Sequence, residues 1–107
     1  MKNIQESNCQ LLMIQCFGGI IKKYKKISIK YEYSQQRRRL LVSYFPKDYI
    51  FSNDNLLRKI NRIEDKLKFK FVNYPLFCYE EDLFKLTDNA KELNYENIQT
   101  ADMESRD

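Results

Sequence analysis

The 107-residue chain contains no histidine, no tryptophan, only two glycines and two prolines, and three cysteines. Without histidine there is no His-based catalytic triad, no imidazole metal site and no imidazole switch near neutral pH. Cys9, Cys16 and Cys78 are odd in number, whereas a small secreted scaffold carries more cysteines in even number, so a reducing cytoplasm is expected. Cys9 and Cys16 also lack the gap of about two to four residues that zinc ligands use. No Gly-rich phosphate loop, zinc pattern or nucleophile elbow is present. The sequence therefore assigns no catalytic residue, metal ligand or cofactor, and an enzyme is not expected. The longest apolar run, Leu11–Ile14, is far short of the roughly 20 residues of a membrane span. Lys2 and Glu6 before a short apolar stretch do not make a secretory signal.

What is present suits one domain with its own core. Ser7 and Gln10 have capping-box spacing ahead of Cys9, Leu12, Met13, Cys16, Phe17, Ile20 and Tyr24, which recur at helical steps. Gly18-Gly19 interrupts that stripe at about 1 kcal/mol per glycine relative to Ala. A helix ending there, a kinked helix to Lys23 and a hairpin turning at the glycines all remain open. Ile27, Ile29, Tyr31 and Tyr33 alternate with polar residues, as a half-buried strand does. Leu40–Phe45 reads as its antiparallel partner, stopped by Pro46. Asn53 and Asp54 open a helix to about Leu67, with Leu56, Leu57, Ile60, Ile63 and Leu67 on one face. Lys68–Val72 alternates and predicts a third strand. Glu80–Leu93 predicts a last helix, with Tyr79, Leu83, Leu86, Ala90 and Leu93 as its apolar face and carboxylates in its first turn. The expected class is α+β in the order α-β-β-α-β-α, a small antiparallel sheet of about three strands with helices on one face. Residues 1–94 form that domain, and 95–107 form a polar acidic tail expected to fray.

The formal net charge of +4 hides a polarity. Residues 22–70 carry 15 Lys+Arg against five acids, a net +10, whereas residues 71–107 carry three against nine, a net −6. The basic clusters are Lys22, Lys23, Lys25 and Lys26 around Tyr24, and Arg37, Arg38 and Arg39. Such residues neutralise phosphates and an interleaved Tyr stacks on bases, although a basic run is usually a solvated face. The acids Glu80, Glu81, Asp82, Asp88 and Glu92 are the candidate docking face for a basic partner. Tyr31, Tyr33 and Tyr44 have the makings of a base-stacking platform, but the Gly-aromatic signature of RNA-recognition modules is missing and core is the plainer assignment.

These features lead to a small cytoplasmic inhibitor that binds another protein and occludes its active site, of the immunity-protein, antitoxin or phage-inhibitor type. A nuclease toxin is one such target, with the acids imitating phosphate in its basic cleft. The alternative is a nucleic-acid-binding module using the Lys22–Lys26 and Arg37–Arg39 clusters. No membrane partner is expected.

Overall fold

The alternating segment after Ile27 and the apolar run before Pro46 pair as the antiparallel hairpin that their patterns imply. In the computed structural model, which describes residues 4–98 and side chains from Asn8 onward, β1 is Ser28–Ser34 and β2 is Arg39–Phe45. Ile29 faces Tyr44, Tyr31 faces Val42 and Tyr33 faces Leu40. Period two puts all six on one face of the sheet. The turn is closed by Ser34 Oγ, which accepts the Arg37 N–H at 3.1 Å, and by Arg38 at φ 54°.

Helices cover that face. α1 runs Ile4–Lys23 without a break, so the kinked, interrupted and hairpin alternatives give way to one helix. It is already under way at Ser7, so the expected capping box does not start it. Met13, Phe17 and Ile21, four residues apart, are fully buried against the sheet. Burying such side chains is worth about 1.5–3 kcal/mol each, which outweighs the helix penalty of the two glycines. A methyl group added at Gly18 would meet Ile98 Cδ1 at an ordinary 3.9 Å, and one at Gly19 would meet nothing. Gly19→Ala is therefore expected to stabilise the fold by about 0.5–1 kcal/mol, seen as a higher urea midpoint at unchanged slope. An unchanged or lower midpoint would contradict a continuous helix at this point.

After β2 and a short α2 (Lys47–Phe51), α3 spans Asp54–Lys70, with the Asn53 side chain accepting the Leu56 N–H at 3.2 Å as its N-cap. The expected strand over Lys68–Val72 is instead the end of this helix and its C-cap, Phe71. Leu56, Ile60, Leu67 and Phe71 continue a helical period into the core, and that burial prevails over five residues of alternation. Phe69, which a strand would have buried, is 95% exposed.

The third strand lies later, at β3 (Leu76–Tyr79), parallel to β2. The predicted helix over Glu80–Leu93 is also replaced. Glu80 and Glu81 adopt φ 51° and 54°, left-handed conformations that an α-helix does not admit. Residues 80–90 run as a non-helical strap with a turn at each end to β4 (Lys91–Leu93), which pairs antiparallel with β1. Pairing satisfies the backbone groups on the open side of β1, which a helix in this position would leave bare. Among the described residues the sheet thus has four strands in the order β3-β2-β1-β4 and is mixed, rather than three strands all antiparallel. The α+β class stands, with the helices on one face.

The strap covers the opposite face. Phe84 buries itself on Leu41 and Cys78, with Leu76 and Leu86 alongside. The Glu81 N–H donates to the buried Ser43 Oγ at 2.8 Å, and Glu81 Oε1 accepts the Leu86 N–H at 2.7 Å. Glu32 of β1 accepts hydrogen bonds from the N–H and hydroxyl of Thr87. Residues 95–98 form a helical turn that returns Ile98 to the main core. The remainder of the expected tail, 99–107, lies outside the described residues.

Candidate interaction surfaces

The five candidate acids do not share a helix face, because that helix does not exist. Glu80 Oε2 accepts the Lys47 N–H at 2.8 Å, and Asp82 Oδ1 accepts the Tyr79 N–H at 3.2 Å. Glu80 and Asp82 thus sit at the C-terminal end of β3, one edge of the sheet. Asp88 and Glu92 belong to the β4 edge, three strand spacings or about 14 Å away. Glu81 lines a cleft of about 420 Å³ that it shares with Lys30, Thr87, Asp88 and Glu92. Glu92 also accepts the Asn94 side-chain amide at 2.8 Å. Among the described residues, no three Cys, Asp or Glu side chains are grouped to hold a metal ion.

Asp82 has a second effect. In the parallel register Tyr79 turns its N–H and C=O away from β2, toward the open edge. The Asp82 carboxylate takes that N–H, and the Asp82 N–H donates to the Tyr79 carbonyl at 3.0 Å. One residue occupies the part of the edge that another strand would use, a common protection against edge-to-edge pairing.

Beside this capped edge lies an aromatic group drawn from separate elements, which no single stretch of the sequence contains. Tyr44, fully buried, packs against Phe17, Phe77 and Tyr79, and the Tyr79 ring meets Phe51 at 4.7 Å. The Tyr44 hydroxyl donates to Glu64 Oε2 at 2.8 Å. Burial raises the Glu64 carboxyl above the usual range, and the Tyr44 hydrogen bond opposes that rise. Burial, then the Glu64 and Asp82 charges, push the Tyr79 hydroxyl up to about 12, so it stays neutral at physiological pH. The group opens to solvent at Phe51, 46% exposed, with Lys47 Nζ 5.9 Å from its ring centre; Leu83, in the turn that follows β3, is 73% exposed. Phe51, at the close of a short helix, carries no periodic signal, and the helical period that includes Leu83 misplaced it, so only the fold reveals their exposure.

The two basic clusters stay apart. Lys22 and Lys23 end α1 and Lys25 and Lys26 lie in the turn before β1, whereas Arg37–Arg39 lie past its far end. The seven residues of β1 set them about 20 Å apart. Lys25 lies over Tyr95 and Lys26 over Tyr49, at 4.8 and 5.7 Å from the ring centres. At the other end the Arg39 guanidinium lies 4.8 Å from the centre of the Tyr74 ring and Lys68 Nζ 6.0 Å from it. The fold thus joins Arg39 not to the first cluster but to the C-terminal turn of α3, while Arg37 lies over the Phe84 ring.

Tyr31 and Tyr44 are buried in the core and Tyr33 packs against it, so these tyrosines form no open stacking platform. Cys78 is buried in β3 and Cys9 in α1, where burial pushes its thiol up to about 11. No helix among the described residues is long and apolar enough to cross a membrane. Comparison with protein-family models, curated proteins and solved structures finds no match, so the surfaces themselves carry the functional reading.

Proposed function

We propose that this chain is a cytoplasmic protein-binding inhibitor that neutralises a partner protein by covering its active site, as immunity proteins, antitoxins and phage-type inhibitors do. The supporting observation is the surface at the end of β3. Phe51 and Tyr79 form an apolar centre, Glu80 and Asp82 flank it as an acidic rim, and the exposed Leu83 follows Asp82 in the chain. An apolar centre with a charged rim is the usual anatomy of a protein interface. The rim selects a basic partner and steers its approach, which fits a nuclease toxin whose cleft is built for phosphate. Inhibition of this kind needs no chemistry from the inhibitor, only an interface of about 1,600 Å² in total.

The test is capture from the native host after nuclease treatment, with the wild type and with a Phe51→Asp, Leu83→Asp double variant. Both side chains are exposed, so circular dichroism should be unchanged. The expected result is a basic protein recovered at stoichiometric yield whose own activity is lost on equimolar addition of the wild-type chain. Each substitution at an interface centre costs about 2 kcal/mol or more, roughly 30-fold, so the double variant should neither capture nor inhibit. No stoichiometric partner, or equal inhibition by the variant, would overturn the proposal. A second reading, a nucleic-acid-binding module, draws support from the meeting of Arg39 and Lys68 at Tyr74.

A further inference from the structure

At the opposite end of β3 the fold assembles a surface that no stretch of the sequence contains. β2 and β3 are parallel, and α3 runs between them as the crossover. The chain therefore leaves α3 close to where β2 and β3 begin. That places Lys68, Phe69 and Lys70 near the hairpin turn and Arg39 at its close, whereas Arg37 of the same turn lies over the Phe84 ring of the strap, 5.7 Å from its centre. The contact is direct, since Arg39 and Lys68 both lie on the Tyr74 ring, at 4.8 and 6.0 Å from its centre. Tyr74 is half-buried and holds the two cations near each other, against their mutual repulsion. Arg38, Lys68 and Lys70 are exposed, and Phe69 between the lysines is 95% exposed. Phe69 lies off the apolar stripe of α3, so its ring adds nothing to the core.

We propose that this end of the molecule binds single-stranded nucleic acid, with Arg38, Arg39, Lys68 and Lys70 on the phosphates and a base stacked on Phe69. Cations that follow a backbone, with an unoccupied aromatic face beside them, are the recurring means of holding single strands without reading their sequence. Duplex DNA would satisfy the cations but offers no unstacked base to the ring. Tyr74 acts as a positioning residue, because cations occupy its ring. This inference gives the nucleic-acid reading a location and is separate from the inhibitor reading, whose surface lies at the other end of β3.

Fluorescence anisotropy with one short labelled oligonucleotide, as DNA strand, RNA strand and duplex over a range of salt, tests the site. Binding of the single strands should exceed that of the duplex and weaken as salt rises. The Arg38→Ala, Arg39→Ala, Lys68→Ala triple variant should reduce the log–log salt slope by about 2, at about 0.7 per phosphate contact. Phe69→Ala should weaken single-strand binding roughly 5- to 150-fold and leave duplex binding unchanged. Lys25→Ala with Lys26→Ala, at the far end of β1, should change little. Equal affinity for duplex, indifference to Phe69→Ala, or an equal loss in the Lys25/Lys26 variant would each overturn the proposal. So would a polyglutamate peptide that binds as tightly as the oligonucleotide, which would assign the surface to an acidic protein. Failure here leaves the capture experiment with Phe51 and Leu83 unaffected.

Discussion

Replacing Phe17 by Ala is expected to cost about 3–5 kcal/mol of folding stability, the range for emptying an aromatic site in a packed core. Phe17 has no exposed surface, and its ring meets Tyr44 at 5.5 Å and 57°. It joins the C-terminal half of α1 to the last part of β2, and both partners are fully buried, so the space cannot readily close. Tyr44 in turn carries Phe77, Tyr79 and the hydrogen bond to Glu64. A cavity beside Tyr44 is thus felt as far as α3 and the edge strand. Small domains are stable by only about 5–15 kcal/mol in all, so the variant should unfold at a much lower urea concentration. A loss under about 1 kcal/mol would mean that Phe17 does not fill the core as placed here.

The second large effect is expected at Phe84. Phe84→Ala removes the side chain through which the strap lies on Leu41 and Cys78. The generic loss for Phe→Ala is again about 3–5 kcal/mol, but here it should act locally first. The strap has little apolar anchorage besides Phe84 and Leu86, and its other ties are hydrogen bonds through Glu32, Ser43 and Glu81. Cys78 is 2% exposed beneath it and reports the opening. Thiol labelling in native buffer, mapped by mass spectrometry, should become roughly 100-fold faster at Cys78 for each ~2.7 kcal/mol lost from the cover. Cys9, buried in α1 on the helix side, should keep its wild-type rate. Equal acceleration at both cysteines would mean that the whole fold, not the strap, had been loosened.

The elements differ in how far their local pattern could be trusted. The β1–β2 hairpin was legible because strict alternation, β-branched and aromatic residues and a polar turn agree with one another. α3 was legible at its start, where Asn53 caps it, and misread at its end. There Lys68–Val72 satisfies both periods, and only the depth of the site that receives Phe71 decides between them. The stretch from Glu80 to Leu93 failed for a different reason. Its composition suits a helix, but the sheet had an unpaired edge at β1 and an uncovered face over Leu41 and Cys78, and one non-helical segment satisfied both. The candidate acids moved with it, from one supposed docking helix to two edges of the sheet and the strap between them.

Binary pattern and composition by themselves determined the α+β class, the central hairpin, the buried tyrosines and the absence of histidine chemistry. Each follows from short-range periodicity or from residue type, which a sequence states directly. Tertiary structure alone decided the fourth strand, the strap and the meeting of the arginine turn with the lysines of α3. Those depend on which backbone edges and apolar faces remain unsatisfied once the hairpin and helices have packed. Such a remainder belongs to the assembled fold, and no local window of sequence contains it.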